Sequence, residues 1–188
     1  MSERGSRRGR SLLLGLLLAL ALGATWRVVR FALGFPLWGD EAFLAASFFD
    51  RGPAELAQPL EHGMVAPYAY LLATWVVTRI LGLSEWALRL VPLLAGLAGL
   101  GLYARFARSA LGRHQALVAL ALLAVSYYPV RHACEMKPYA VDLAVSGALL
   151  LLAWRVRRAP SRGRWIALGA ALLLAPWFSY PSVFTGGG

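Results

Sequence analysis

Long apolar segments separated by short arginine-rich ones constrain the fold of this chain more than any other feature. Hydrophobic residues make up 59% of the 188 residues and charged residues only 15%, which is too apolar for a soluble domain. An apolar run of about 20 residues can cross a bilayer as a helix. We therefore predict an all-α polytopic membrane protein with about five transmembrane helices. The predicted spans are residues 12–33, 85–107, 115–130, 138–154 and 165–184.

The basic residues predict how these helices are oriented. Most of the 19 Lys and Arg residues lie in three short clusters, at residues 4–10, 105–113 and 155–164. Basic residues accumulate on the cytoplasmic side of membrane proteins, so we predict a cytoplasmic N-terminus in the cell (inner) membrane. Clusters between apolar spans do not form a nucleic-acid-binding face, so nucleic acid is not expected as a partner. The single cysteine excludes a disulfide within the chain.

Residues 34–84 are predicted to form the first outer loop, which contains interfacial helices. Within this loop, residues 66–81 are apolar and aromatic, but the run is shorter than the ~20 residues that a spanning helix needs. A span here would also carry the arginines of residues 105–113 to the outer side, against the positive-inside rule. We therefore expect an interfacial or re-entrant helix. A short amphipathic helix is expected over residues 40–51.

Two polar clusters interrupt the apolar pattern on the predicted outer side. Asp40 and Glu41 follow Gly39 near the end of the first span, and residues 131–139 stand between two later spans. Carboxylates are costly at bilayer depth and are normally kept there for a function. An Asp-Glu pair at the start of a helix can also act simply as an N-cap. Because both clusters fall on the same side, we favour a shared functional site.

The two clusters contain groups that can deprotonate a hydroxyl and bind a phosphate. Asp40 is the candidate general base, because an interfacial carboxylate can accept a proton from a hydroxyl nucleophile. Arg131, His132 and Lys137 can bind a phosphate through charge-assisted hydrogen bonds. A substrate with a phosphate head and a lipid tail suits this arrangement, since the tail stays in the bilayer. His132 is equally compatible with a place in the interfacial aromatic belt.

The remaining polar residues are interpreted as structural. His62 is expected to be a solvated loop residue. Cys134 is expected to be a small packing residue, although nearby cations leave a reactive thiol as an alternative. Asp142 lies inside a span and predicts a polar partner, either Lys137 or an inward arginine such as Arg89. The His and Cys residues lack the spacing of a zinc site, so no metal ligand is assigned, and a divalent metal is compatible with the sequence but not required by it.

Four short motifs follow one another along the chain. They are Gly39-Asp40-Glu41, Ala66-Pro67-Tyr68, the segment Ser-Glu-Trp-Ala-Leu-Arg-Leu-Val-Pro at residues 84–92, and Glu135-Met136-Lys137-Pro138-Tyr139-Ala140. In this order they resemble the N-terminal part of the GT-C membrane glycosyltransferases, over about residues 12–154. The similarity is greatest to the protein mannosyltransferase and aminoarabinose transferase type, which takes its sugar from a polyprenyl-phosphate-linked donor.

This resemblance implies roles for individual residues. Asp40 would be the catalytic base, and Glu41 would orient it or bind a metal. Lys137 and Arg131 would hold the phosphate of the donor, with Glu135 near the sugar. The other expected substrate-binding residues are His132 and Tyr139.

The function expected from these observations is glycosyl transfer with inversion at the outer face of the membrane. The donor would be a polyprenyl-phosphate-linked sugar and the acceptor a hydroxyl of a lipid, glycan or protein. The alternative is a non-enzymatic membrane protein, a transporter or an assembly subunit, that uses the same charges to lock its helices. A transporter would be expected to show broken helices and paired repeats, and the sequence shows neither.

The chain is shorter than the enzymes it resembles. We therefore expect residues 1–188 to be a single membrane domain that forms the N-terminal part of a longer enzyme, and to be inactive alone. The small-residue faces at Gly96–Gly99 and Gly147–Ala148 are expected to stay open for helices that this chain lacks.

Overall fold

The fold is built entirely from helices. The computed structural model describes residues 2–187, with side chains from Gly9 onward, so the side chains of Arg4, Arg7 and Arg8 lie outside the described part. Within residues 2–187 no strand occurs, which confirms the predicted all-α class. The α-helices are α1 (Ser2–Ala32), α2 (Asp40–Ala46), α3 (Tyr68–Leu81), α4 (Glu85–Ala110), α5 (Arg113–Val125), α6 (Tyr127–His132), α7 (Tyr139–Arg158), α8 (Arg162–Phe178) and α9 (Ser182–Gly187). Two 3-10 turns lie at Glu55–Ala57 and Glu61–Gly63.

Three of these helices are long and apolar enough to cross a membrane, namely α1 over Gly9–Ala32, α4 and α7. The spans predicted at residues 115–130 and 165–184 are each divided into two helices. α5 has 13 residues and ends before Ser126, which has an extended backbone. α8 has 17 residues and is separated from α9. The chain is thus an integral membrane protein by its apolar helices, and a count of five spans stays a prediction.

α4 is the central helix and packs most extensively against α7. Glycines allow the close approach on this side of α4. A Cβ on Gly96 would lie 2.5 Å from the Cβ of Ala133, and one on Gly99 would lie 3.1 Å from Leu143. Gly147 of α7 is also buried. The expectation that these small-residue faces stay open is therefore wrong, because segments of this same chain cover them.

α1 packs against α5 and carries a buried arginine at that interface. Arg27 is fully buried, and its guanidinium donates to the carbonyl of Gly23 at 2.9 Å and to the carbonyl of Ala124 at 3.4 Å. Ala124 belongs to the last turn of α5, where backbone carbonyls lack intrahelical donors and the helix dipole favours a cation. Arg27 thus binds the end of α5.

Residues 34–84, predicted to form the first outer loop, fold into a compact layer against α4 and α7. α2 ends at Ala46, earlier than the helix predicted for residues 40–51, and α3 begins at Tyr68. One apolar cluster joins this layer to the segment that precedes α7. Its buried members are Leu44, Ala45, Phe48, Leu56, Ala66, Tyr70, Leu71, Leu88, Met136 and Val141. The cluster holds the two polar segments identified in the sequence in a fixed relative position.

The length of α3 generates a prediction about topology. With 14 residues, α3 is about 21 Å long, which is shorter than the ~30 Å hydrocarbon core. We expect cysteines introduced by Gln58→Cys and Leu83→Cys, both at exposed positions flanking α3, to react with a membrane-impermeant thiol reagent from outside intact cells. A cysteine introduced by Gly163→Cys, at the start of α8, should react only after permeabilisation.

The parent protein is the control for this experiment, since its one cysteine, Cys134, is buried. Labelling at Gln58→Cys without labelling at Leu83→Cys would mean that α3 spans the membrane.

Candidate active site

The two polar segments identified in the sequence meet at one end of the helix bundle. α2 begins at Asp40, directly after Gly39, whose φ of 49° is a conformation that glycine adopts readily. Lys137 lies just before α7, and its Nζ donates to Asp40 Oδ2 at 3.1 Å. An ion pair therefore joins residues that are far apart in sequence.

Asp40 is the most accessible carboxylate of this arrangement. Its side chain is 63% exposed, whereas that of Lys137 is 15% exposed. The N-cap of α2 is Gly39, so capping the helix does not account for the position of the Asp40 carboxylate. Within the described residues, no protein group donates to Asp40 Oδ1, which leaves one oxygen open to a substrate.

Glu41, the next residue, is in the opposite situation. Its side chain is fully buried, and its two oxygens accept hydrogen bonds from Arg89 Nε at 2.9 Å and Arg89 Nη2 at 2.8 Å. Arg89 is also buried and donates to the backbone carbonyls of Phe35 and Pro36. The bidentate pair fixes α2 and the chain before it to α4.

Glu41 also connects α2 to the second polar segment. The backbone N–H of Met136 donates to Glu41 Oε1 at 2.6 Å, and the Met136 side chain is fully buried. Lys137 follows directly, so this hydrogen bond determines where Lys137 stands relative to Asp40. Glu41 thus acts on the site through the backbone rather than by facing a substrate.

Glu135 is similarly occupied by neighbouring side chains. Arg131 Nε donates to Glu135 Oε1, and His132 Nδ1 lies 3.0 Å from Glu135 Oε2. Burial acts to raise the pKa of the Glu135 carboxyl, but the hydrogen bonds from Arg131 and His132 outweigh it and leave that pKa below its usual value. Glu135 is therefore an anion that holds Arg131 and His132 in place.

Exposed aromatic rings lie beside the two cationic side chains, Arg131 and Lys137. The ring of Trp38 lies 5.0 Å from the Arg131 guanidinium carbon and 5.9 Å from Lys137 Nζ, and the Tyr139 ring is also 5.9 Å from Lys137 Nζ. Tyr139 in turn lies 4.6 Å from the His132 ring. We call Trp38, Arg131, His132, Lys137 and Tyr139 the cation–aromatic cluster. The rings thus help to hold Arg131 and Lys137 in place beside their carboxylate partners, Glu135 and Asp40.

The structure thus brings together all seven residues predicted for the site and leaves other candidates outside it. His62 is exposed in the outer loop and packs against the Phe43 ring. Cys134 is buried, and burial raises the pKa of its thiol to about 11, as expected for a packing residue. The partners expected for Asp142 are wrong, because Lys137 and Arg89 pair with other carboxylates. Among the side chains described from Gly9 onward, no three His, Cys, Asp or Glu residues group to hold a metal ion.

Sequence reasoning missed two contributors to the site. Arg89 was considered only as a partner for Asp142, although an arginine inside an apolar span needs a buried polar partner and the Glu41 carboxylate was available. Trp38 was not assigned any role, and its contact with both cations depends on how the chain turns at Gly39. Of these two residues, only Arg89 had a signal in the sequence, namely a charged residue inside an apolar span.

The buried Glu41–Arg89 pair generates a stability prediction. Glu41→Gln leaves the Arg89 charge buried without its anion, and we expect it to lower the free energy of unfolding by about 3–5 kcal/mol. The matched control is Glu61→Gln, which removes the anion of the exposed Arg51–Glu61 pair and should cost at most about 1 kcal/mol. Unfolding of the purified protein in detergent measures both, and equal losses would contradict the role given to Glu41.

Comparison with known proteins identifies the family of the chain. The family model of the dolichyl-phosphate-mannose-protein mannosyltransferases matches residues 61–186, a region that includes Arg89 and the segment 131–139 and begins after Asp40. Neither a curated protein nor a solved structure matches the chain. The family consists of membrane glycosyltransferases that use polyprenyl-phosphate sugars as donors, in agreement with the resemblance seen in the sequence. With the matched region covering more than half of its length, the chain belongs to the dolichyl-phosphate-mannose-protein mannosyltransferase family.

Proposed function

We propose that this protein transfers a sugar from a polyprenyl-phosphate-linked donor to a hydroxyl of a lipid, glycan or protein acceptor, with inversion, at the outer face of the cell membrane. The family supports the reaction class and the type of donor. The proposed roles of individual residues are supported by the 3.1 Å contact between Lys137 Nζ and Asp40 Oδ2, in which a candidate base lies beside a candidate phosphate ligand.

Asp40 is the proposed general base. Its open carboxylate oxygen takes the proton of the acceptor hydroxyl while the hydroxyl oxygen attacks the anomeric carbon of the sugar. The new glycosidic C–O bond forms as the bond between the anomeric carbon and the phosphate oxygen breaks. The electron pair of that bond leaves with the polyprenyl phosphate, so the donor ends as a phosphate monoester with one more negative charge.

Lys137 and Arg131 are proposed to bind that phosphate. The Lys137 ammonium has three N–H donors and can contact Asp40 and a phosphate oxygen at once. Arg131 is held by Glu135 through its Nε, and it contacts Tyr127 OH through Nη1 at 3.3 Å. Fixed cations stabilise charge that develops on the leaving phosphate, so they aid turnover as well as binding.

The remaining cluster members are proposed to complete the substrate site around these two cations. Trp38 and Tyr139 offer apolar ring faces beside the phosphate position, and His132 is anchored by Glu135 at its edge. Glu135 would act near the sugar mainly by orienting Arg131 and His132. Glu41 is a positioning residue, because both of its oxygens are bonded to Arg89.

The distribution of carboxylates favours inversion over retention. A retaining transfer through a covalent intermediate needs a second carboxylate, free to act as the nucleophile on the sugar. Of the three carboxylates at this site, Glu41 is engaged by Arg89, and Glu135 is engaged by Arg131 and His132. Asp40 alone has an open oxygen, which suits a single displacement with one base.

The first functional prediction concerns Asp40. Asp40→Asn removes the base but keeps the size of an exposed side chain, so we expect transfer to fall by ~10²-fold or more with no change in thermal stability. Membranes containing the native protein, supplied with dolichyl-phosphate mannose, allow mannose incorporation to be measured. Asp50→Asn, at another exposed acidic position of the outer loop, is the matched control and should transfer normally.

Two outcomes would refute this role for Asp40. Near-normal transfer by Asp40→Asn would exclude it as the base. A loss of folding would instead support the alternative in which these charges serve only to lock the helices.

The second functional prediction concerns the phosphate. Hydrogen bonds to charged groups contribute about 1.5–3 kcal/mol each, so Lys137→Ala and Arg131→Ala should each lower kcat/KM for the donor by roughly 10- to 100-fold. Arg157→Ala, which removes an exposed arginine at the other end of α7, should have no effect. Unchanged donor use after both cluster substitutions would place the phosphate site elsewhere.

A further inference from the structure

The end of the bundle opposite the candidate active site contains a cleft that the proposed reaction does not use. The cleft has a volume of about 430 Å³ and lies between the first turns of the apolar part of α1, the end of α4 and the start of α5. Each helix contributes one arginine, namely Arg10, Arg108 and Arg113. Arg89 and Arg108 are about 28 Å apart along α4 at 1.5 Å per residue, so the two sites are separate.

Within the described side chains, no acidic group balances the charge of this cleft. Among the side chains described from residue 9 onward, no carboxylate forms a salt bridge with any of the three arginines. The described acidic residues lie in the outer loop, in the first turns of α4 and α7, or in the segment 131–139. The three arginines therefore give the described part of the cleft a positive potential that favours an anion.

Backbone geometry reinforces that preference at one wall of the cleft. Arg113 is the first residue of α5, a helix of 13 residues, and Ala116 of its first turn also lines the cleft. The first N–H groups of a helix lack intrahelical acceptors and lie at the positive end of its dipole. These groups add fixed donors to the three mobile guanidinium groups.

The floor of the cleft is apolar, which distinguishes it from a site for a free anion. Leu12, Leu13 and Leu16 of α1 line it below the arginines. The leucine surface continues along α1 through Leu17, which is 54% exposed. A ligand that fills the whole cleft must therefore carry an anionic head and an apolar tail.

Aromatic residues indicate that this cleft lies at the depth of lipid headgroups. Trp154 Nε1 donates to the carbonyl of Ser109, the residue after Arg108, at 3.0 Å. The guanidinium of Arg158 lies 5.8 Å from the same ring. Tryptophan flanked by arginines is typical of the boundary between hydrocarbon and headgroups.

We propose that this cleft binds the headgroup phosphate of an anionic phospholipid, with the acyl chains lying on the leucine surface of α1. Arg10, Arg108 and Arg113 hold the phosphate from three helices, and the lipid thereby joins α1, α4 and α5 at this end. Basic clefts between transmembrane helices are suited to such headgroups. The site is independent of the proposed transfer reaction.

The test compares lipid binding by the purified protein in detergent with three probes: phosphatidylglycerol, phosphatidylcholine and inorganic phosphate. The variant carries Arg10→Gln, Arg108→Gln and Arg113→Gln, all at exposed positions. A matched control carries Arg157→Gln, Arg158→Gln and Arg162→Gln, which removes the same charge at the same end. Native mass spectrometry counts bound lipid, and thermal unfolding reports whether each variant is folded.

We expect the parent protein and the control to bind phosphatidylglycerol at least 10-fold more tightly than phosphatidylcholine. The cleft variant should lose roughly 10- to 100-fold of that affinity while unfolding at the parent temperature in phosphatidylcholine. Equal losses in both variants would mean a diffuse charge effect and overturn the proposal. Unchanged binding of phosphatidylglycerol by the cleft variant would also overturn the proposal. Competition by inorganic phosphate at equal phosphate concentration would overturn it too, because it would indicate a site for a free anion.

Discussion

The buried ion pair between Glu41 and Arg89 is the interaction on which the candidate active site depends. Two charges removed from water are costly, and they are tolerated because Arg89 meets both carboxylate oxygens and further backbone carbonyls. The pair connects α2 to α4, and the N–H of Met136 adds the segment before α7 to the same carboxylate. One buried group thus sets the relative position of three parts of the chain.

The three carboxylates of the two polar segments differ in exposure because they differ in partners. Glu41 is enclosed by Arg89 and Met136, and Glu135 by Arg131 and His132, so each stabilises a geometry. Asp40 has one contact and faces solvent. A general base has to gain and lose a proton without disturbing the fold, and among these three carboxylates the exposure of Asp40 is in keeping with the role proposed for it.

The sequence predicted the helical class and both polar segments because apolar runs and clustered charges depend only on local composition. The proximity of the two polar segments was inferred from the predicted topology. The pairing of Glu41 with Arg89 could not be inferred, because it depends on how α2 packs against α4, which no local pattern specifies. The break at Ser126 was missed for a similar reason, since a single serine within an otherwise apolar and aromatic segment does not specify where a helix ends. The packing of Gly96 against Ala133 likewise follows from tertiary contacts.

Arg27 provides hydrogen-bond donors at the point where α5 ends. A chain that leaves its helical path away from water exposes carbonyls that need donors. Here the guanidinium of Arg27 reaches the carbonyls of Leu123 and Ala124, just before α5 breaks at Ser126. The Arg27 side chain of α1 therefore donates the hydrogen bonds that water would otherwise provide. Because those carbonyls have donors within the protein, the chain can leave its helical path at Ser126 without water at that point.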